Sequence, residues 1–198
     1  MTRLRKAPQV ATRHCVYSVV STNHARTFTE KHPYVVSEKP LGTAKHVRIV
    51  GIGAGASGIN MVRTLRRHLK NYEFVVYEKN DKVGGTWFEN RYPGCRCDVP
   101  SHNYQFSWRP NPEWSNFFSR SEEIEQYLAK IYEEEHMQDT IKTRHVVCGA
   151  WWDEGRGMWD LSIKNLETGE EFRDQANFII DGSGILKYES FWSNPSIR

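Results

Sequence analysis

The sequence predicts an α/β fold in which a parallel sheet covered by helices is joined to an antiparallel meander of strands. Three observations support this fold. An apolar, β-branched run at Val47–Ile52 leads directly into a GxGxxG turn, which an amphipathic segment follows. A second apolar run ends at Glu78, as a parallel neighbour of the first strand would. After Thr143 the residues form strand-like runs separated by the turn segments EGRG and ETGE.

The first strand, the turn and the segment after it have the spacing of a Rossmann-like dinucleotide-binding unit. In such a unit Gly53 permits the tight turn, Gly55 lets the backbone approach a pyrophosphate, and Gly58 lets helix and strand pack closely. We expect a helix over residues 57–70, whose first N–H groups attract phosphate oxygens. Glu78 follows Gly58 by 20 residues, the spacing at which a carboxylate accepts hydrogen bonds from an adenosine ribose.

Residues 79–120 form a long irregular stretch that is rich in Gly, Pro, Asn and aromatic residues. Loops of this length inside compact domains are usually functional. A helix is predicted over residues 122–136, and Ser119 with Glu122 has the spacing of a capping box at its start. The apolar stripe of this helix consists of Ile124, Tyr127, Leu128 and Ile131. The last apolar run, residues 176–181, is expected to return to the parallel sheet.

The chain is expected to divide into three parts. Residues 1–45 show no helical or strand periodicity and are interrupted by prolines, which indicates a flexible leader. Residues 46–190 are expected to form the Rossmann-like domain. Residues 191–198 are interpreted as a truncated linker to a further domain.

Charge and composition argue against several classes of function. Of the net charge of +3, five positive charges lie in residues 1–29, which contain no Asp or Glu. The remainder therefore carries −2, and we expect no nucleic-acid-binding surface on it. No apolar run approaches the roughly 18 residues of a membrane span, so no membrane partner is expected. The four cysteines have neither zinc-site nor redox-pair spacing, which predicts no metal site and reduced thiols in the cytoplasm.

The irregular stretch contains the run GGTWFENRYPGCRCDVPSHNY, from Gly84 to Tyr104. Two adjacent glycines allow a flat ligand to approach the backbone closely, and Trp87 offers an apolar wall. Together with the GxGxxG turn and Glu78, this run resembles the flavin-dependent Baeyer–Villiger monooxygenases, and the resemblance extends over residues 47–186. The turn alone leaves open which dinucleotide it holds; the resemblance implies FAD, in an FAD-binding Rossmann-like domain.

The resemblance also implies a set of site residues. Those expected around FAD are Gly53, Gly55, Ser57 and Gly58 at the pyrophosphate, Glu78 at the ribose, Val147 at the adenine through its backbone, and Gly85, Thr86, Trp87, Asp98 and Tyr104 at the flavin. Those expected to approach the nicotinamide cofactor NADPH are Arg96, Cys97 and Asp98. Asp98 is also the candidate catalytic acid, through a hydrogen bond or a charge pair with a cationic partner.

The family carries out an NADPH-dependent insertion of one oxygen atom of O2 next to the carbonyl of a small-molecule ketone. Its second GxGxxG unit has no counterpart in these 198 residues, so we interpret the chain as truncated before the NADPH domain. Whether the chain alone is an enzyme is therefore left open. The alternatives are a related N- or S-oxidising flavin monooxygenase and a non-catalytic FAD-binding or interaction protein, completed by another chain or domain.

Overall fold

Two four-stranded sheets and three helices make up the part of the chain that the structure describes, residues 19–20 and 38–184 of a computed structural model. The strands are β1 (Val19–Val20), β2 (Val47–Ile52), β3 (Tyr72–Tyr77), β4 (Ile141–Lys142), β5 (His145–Asp153), β6 (Met158–Asn165), β7 (Glu171–Ala176) and β8 (Phe178–Asp181). The helices are α1 (Ala56–His68), α2 (Thr86–Glu89) and α3 (Ser121–Glu134), and a 3-10 turn covers Met137–Asp139.

The first sheet is parallel and has the order β4-β3-β2-β8. Strand β2 lies in its interior, between β3 and β8, and its residues Ile49, Val50 and Ile52 are buried. The expected return of the last apolar run to this sheet is confirmed, because β8 pairs with β2 in parallel. Strand β4 was not predicted. It has only two residues, too few to give a periodic signal.

Helix α1 packs its apolar stripe on one face of the parallel sheet, and Ile59 and Val62 are fully buried there. Its basic side also makes a tertiary contact. The guanidinium of Arg66 donates hydrogen bonds to the carbonyl oxygens of Glu135 (2.7 Å) and His136 (3.0 Å), just beyond the end of α3. This contact satisfies helix-terminal carbonyls and fastens α1 to α3.

The predicted apolar stripe of α3 is confirmed, since Ile124, Leu128 and Ile131 are buried against the sheet layer. The predicted capping box is wrong. Helix α3 follows Arg120, which makes no side-chain capping bond. The Ser119 hydroxyl lies instead 2.6 Å from the hydroxyl of Ser101, which also accepts a hydrogen bond from the Ser119 N–H. The Ser119 hydroxyl, which the local pattern assigned to a helix cap, therefore makes a buried tertiary contact instead.

The second sheet has the order β1-β5-β6-β7, and its last three strands form the predicted antiparallel meander. The meander packs on the other face of the parallel sheet. The core between the two sheets consists of Val50, Ile52, Val75, Tyr77, Val147, Ala150, Leu161, Ile163 and Ala176. The predicted fold class is therefore confirmed: a Rossmann-like parallel sheet with helices, joined to an antiparallel sheet.

The expected leader contains one strand that the sequence did not predict. Val19 and Val20 pair in parallel with Ala150 and Trp151 of β5. Two β-branched residues are too short a run to show periodicity. The rest of the expected leader up to residue 37, and the expected linker at 191–198, lie outside the described residues. Within the described part of the chain, no helix has the length and apolar character needed to cross a membrane.

Candidate functional site

A cleft opens at the edge where the parallel strands β2, β3 and β8 end. Because these strands are parallel, the segments that follow them come together at this edge. The N–H of Gly53 donates to the carbonyl of Tyr77 (2.8 Å), and the N–H of Gly182 donates to the carbonyl of Ile52 (2.8 Å). Strand β2 is also the point at which the chain order of the sheet reverses, the usual position of ligand sites in such sheets.

The floor of the cleft is bare main chain. Gly53 has a φ of +91°, and a Cβ placed there would lie 2.7 Å from the carbonyl oxygen of Gly182. Gly85 has a φ of +54°, and its Cβ would lie 2.9 Å from the Cα of Gly55. Both spacings are shorter than real Cβ contacts, so no other residue fits at either position without a shift of the backbone.

The cleft encloses a cavity of about 180 Å³. Its lining residues are Ile52, Gly53, Gly55, Ala56, Ser57, Tyr77, Glu78, Lys79, Gly84, Gly85, Thr86, Trp87, Glu89, Asn90, Tyr104, Gly182, Ser183 and Gly184. Helix α1 begins beside this cavity, with no acidic residue in its first turn and no side-chain cap. Its first N–H groups and the positive end of its dipole therefore favour an anion in the cleft.

Glu78 is buried at one wall of the cleft, with 3% of its surface exposed. One carboxylate oxygen accepts a hydrogen bond from the N–H of Ala54 (2.6 Å), and the other accepts one from the N–H of Asn80 (2.8 Å). The carboxylate thus joins the turn after β2 to the turn after β3. Each carboxylate oxygen has a further lone pair, so Glu78 can still accept hydrogen bonds from a ligand hydroxyl.

The opposite end of the cleft is aromatic. Helix α2 carries Trp87, whose indole N–H donates to the hydroxyl of Tyr104 (3.0 Å). The two rings meet edge to face, with centroids 5.4 Å apart and an angle of 80° between their planes. Both side chains are half-buried. They form a wall that suits the flat, largely apolar part of a ligand.

A partly buried polar network supports the strands beneath the cleft. Arg48 donates two hydrogen bonds to the Asp174 carboxylate, at 2.9 and 2.7 Å, and the Tyr77 hydroxyl donates a third at 2.8 Å. Burial alone would raise the pKa of the Asp174 carboxyl, but the hydrogen bonds from Arg48 and Tyr77 outweigh it and lower that pKa. Burial and the bond to Asp174 raise the pKa of Tyr77. The network holds β2, β3 and β7 together.

Comparison with known proteins gives the family. Residues 52–121 match the family model of an NAD(P)-binding Rossmann-like domain. The chain is 40% identical to the FAD-binding monooxygenase moxY of Dothistroma septosporum over 157 residues, 78% of this chain and 25% of that protein. It is 34% identical to a Baeyer-Villiger monooxygenase of Pseudomonas aeruginosa over 172 residues, 86% of this chain and 30% of that protein.

Among solved structures, the complex of OTEMO with FAD and NADP superposes with a TM-score of 0.63 at 27% identity, over 71% of this chain and 26% of that one. This chain is a relative of the Baeyer–Villiger flavin monooxygenases. The family predicted from the motifs is therefore confirmed. The chain spans between a quarter and a third of the length of these relatives.

Eight of the site residues that the family resemblance implied line the cleft. They are Gly53, Gly55, Ser57, Glu78, Gly85, Thr86, Trp87 and Tyr104. Gly58 does not line it. A Cβ at Gly58 would lie 2.1 Å from the carbonyl oxygen of Gly53, so this glycine shapes the turn from behind. Val147 is buried in the core between the two sheets, away from the cleft wall.

The remaining predicted residues lie on a segment outside the cleft. Arg96 is exposed, and its main chain forms an isolated antiparallel β-bridge with that of Arg120. Cys97 is buried in the core beneath α3. Asp98 is exposed and does not line the cavity, so the structure does not bring the candidate catalytic acid to the glycine turns.

Several polar residues of the lining were missed from the sequence: Tyr77, Lys79, Glu89, Asn90 and Ser183. Lys79 directly follows Glu78, and its ammonium lies 3.0 Å from the Glu89 carboxylate. Glu89 and Asn90 reach the cleft because α2 forms one helical turn inside the stretch that was interpreted as irregular. A four-residue helix has no hydrophobic period, so only the charge of Glu89, ten residues after Lys79, could have suggested the pair.

Proposed function

We propose that this chain is the FAD-binding part of an NADPH-dependent flavoprotein monooxygenase that inserts one oxygen atom of O2 next to a ketone carbonyl. The observation that carries the proposal is the cleft itself. It combines a main-chain floor, an uncapped helix N-terminus and the buried Glu78 with an aromatic wall. The main-chain floor and the helix N-terminus suit a pyrophosphate, Glu78 suits a ribose, and the aromatic wall suits a flat ring system.

The residues present fit FAD. The N–H groups at the start of α1, near Gly55 and Ser57, would bind the pyrophosphate, and Glu78 would accept hydrogen bonds from the adenosine ribose. Thr86, Trp87 and Tyr104 would contact the flavin half and exclude water from it. When bound, FAD supplies the electron transfer to O2 and the delivery of oxygen to the substrate.

Asp98 is the proposed catalytic acid, although it lies outside the cleft. No hydrogen bond or ion pair to it is found within the described residues. Its side chain is exposed and is therefore accessible to a cationic partner. We propose that Arg96, Cys97 and Asp98 face the nicotinamide cofactor, and that the substrate is a small ketone. Cys95 and Cys97 form no disulfide among the described residues, which suits the cytoplasm, the compartment that we propose.

The binding half of the proposal is tested by reconstitution. The purified full chain is incubated with FAD and passed over a desalting column, and the flavin absorbance that elutes with the protein is measured. We expect the wild type to retain flavin. Glu78→Gln should bind FAD about tenfold more weakly, because the amide replaces an acceptor oxygen by a donor. Glu167→Gln, which removes a carboxylate from an exposed ion pair with Arg144, serves as the matched control.

A wild-type chain that retains no flavin contradicts the proposal. The catalytic half is tested by product analysis with NADPH and a ketone, an amine or a sulfide. Ester or lactone from the ketone supports the Baeyer–Villiger reaction, whereas an N- or S-oxide alone supports the related monooxygenases. Flavin binding without any product supports a non-catalytic FAD-binding protein.

A further inference from the structure

The cleft carries three charged side chains at the wall that holds Glu78. Glu78, Lys79 and Glu89 all line the cavity, and Lys79 is the single Lys or Arg among its described lining residues. The Lys79 ammonium lies 3.0 Å from one Glu89 carboxylate oxygen. The Lys79 side chain is only 37% exposed, and the Glu89 side chain only 30%. The one Lys or Arg among the described lining residues is therefore already engaged by a carboxylate.

Asn80 ties the two carboxylates together. Its main-chain N–H donates to Glu78 (2.8 Å), and its side-chain amide donates to the same Glu89 oxygen that binds Lys79 (2.9 Å). Lys79 and Asn80 thus both help to orient Glu89. Because Asn80 contacts both acids, it holds Glu89 on the same side of the cleft as Glu78. Two carboxylates against one ammonium leave this end negatively charged.

We propose that Glu89 is a specificity-determining residue that makes the cleft accept an adenosine ribose with free hydroxyls and reject one that carries a 2′-phosphate. Glu89 does this in two ways. It holds the ammonium of Lys79, which would otherwise pair with a phosphate, and it adds a second negative charge beside Glu78. A phosphate carries close to two negative charges at neutral pH, so it is repelled at a site of this sign.

This inference rests on the proposed function, because it places the adenosine half of the dinucleotide at Glu78. It adds a role for Lys79 and Glu89 that the glycine motif and the acid at the end of β3 do not provide. The matching family model describes NAD(P) binding, which covers both the plain and the phosphorylated ribose. The residue that discriminates between them therefore has to be found in the cleft.

The test compares two probes that differ only in the 2′-phosphate, ADP-ribose and 2′-phospho-ADP-ribose. Each is titrated by calorimetry into the flavin-free full chain. The wild type should bind ADP-ribose at least about tenfold more tightly. Glu89→Gln keeps the side-chain volume but frees Lys79, and it should reduce this preference about tenfold, mainly through tighter binding of the phosphorylated probe. The double variant Glu89→Gln/Lys79→Met should lose that gain.

Glu167→Gln is the matched control, because it also neutralises one acid of an exposed ion pair and does not line the cleft. It should leave the ratio of the two affinities unchanged. A merely structural role for Glu89 would weaken both probes equally, and that outcome overturns the inference. Equal binding of both probes by the wild type overturns it as well. If the wild type binds neither probe, the proposed function itself fails and the inference falls with it.

Discussion

The polar half of the cleft is built from main chain, whereas its aromatic half is built from side chains. In the polar half the segments after β2, β3 and β8 are joined by backbone hydrogen bonds, such as the 2.8 Å bond from Gly182 to Ile52. In the aromatic half the indole of Trp87 and the hydroxyl of Tyr104 meet, and neither residue lies on a strand. Substitutions in the main-chain floor of the polar half should therefore disturb the fold and every ligand, whereas those in the aromatic half should affect only ligands that reach it.

The largest effect is expected for Gly58→Ala. The new Cβ would lie 2.1 Å from the carbonyl oxygen of Gly53, so the turn or the start of α1 has to move. We expect a loss of about 3 kcal/mol in the free energy of unfolding, the upper end of the cost of overpacking. Because the turn forms the floor of the cleft, FAD and ADP-ribose should both cease to bind. Urea unfolding and calorimetry measure the two effects.

Gly155→Ala is the control for this substitution. Its Cβ would meet only the flexible Asp153 carboxylate, at 3.3 Å, in the turn between β5 and β6. The free energy of unfolding should change by less than about 0.5 kcal/mol, as is usual for surface positions. Equal losses of stability in the two variants would contradict the idea that the turn depends on the close contact between Gly58 and the Gly53 carbonyl.

The polar half could be predicted from the sequence because its signals are local. The run from Val47–Ile52 to Gly58 specifies a strand, a turn and a helix within a short stretch, and Glu78 follows at a fixed spacing. In the aromatic half, the residues themselves indicated only an apolar wall at Trp87, and the role of Tyr104 came from the family resemblance. Trp87 and Tyr104 are 17 residues apart on a segment without periodicity, so no local rule brings their rings together.

Other features depended on tertiary contacts that compete with local patterns. Ser119 and Glu122 match the capping-box spacing, but the Ser119 hydroxyl is buried against Ser101, where a missing hydrogen bond would be costly. The pairing of Lys79 with Glu89 requires α2 to form, and α2 has only one turn. Such elements are decided by what the chain packs against, which a single sequence does not display.

A smaller effect, confined to stability, is expected for Asp174→Asn, beneath the polar half. The hydrogen bonds from Arg48 and Tyr77 outweigh burial and lower the pKa of Asp174 in the folded state. The Asp174 carboxylate therefore stabilises the folded state at pH values above its pKa in the unfolded chain, about 3.9. This stabilisation is lost as the pH falls through the pKa of the folded state. At pH 7 the variant should therefore be less stable by about 1–2 kcal/mol.

Urea unfolding between pH 7 and pH 2 checks this prediction. The difference in unfolding free energy between the wild type and Asp174→Asn should shrink as the pH falls below about 4. Glu167→Gln should cost less than about 1 kcal/mol, because its ion pair is exposed. A difference that stays constant over the acid range would show that Asp174 is not the group that titrates. ADP-ribose affinity should be unchanged, because Asp174 does not line the cleft.

The smallest effect on stability is expected for Tyr104→Phe, which separates the two halves most directly. The variant keeps the ring beside Trp87 but removes the hydroxyl that accepts the indole N–H, so stability should fall by about 1 kcal/mol or less. FAD should bind roughly threefold to tenfold more weakly because its flavin would reach this wall, whereas ADP-ribose should bind as before. Tyr92→Phe, an exposed position in the same stretch, should change neither affinity. Equal losses for both ligands would mean that Tyr104 shapes the whole cleft, and that the aromatic half is not independent of the main-chain floor.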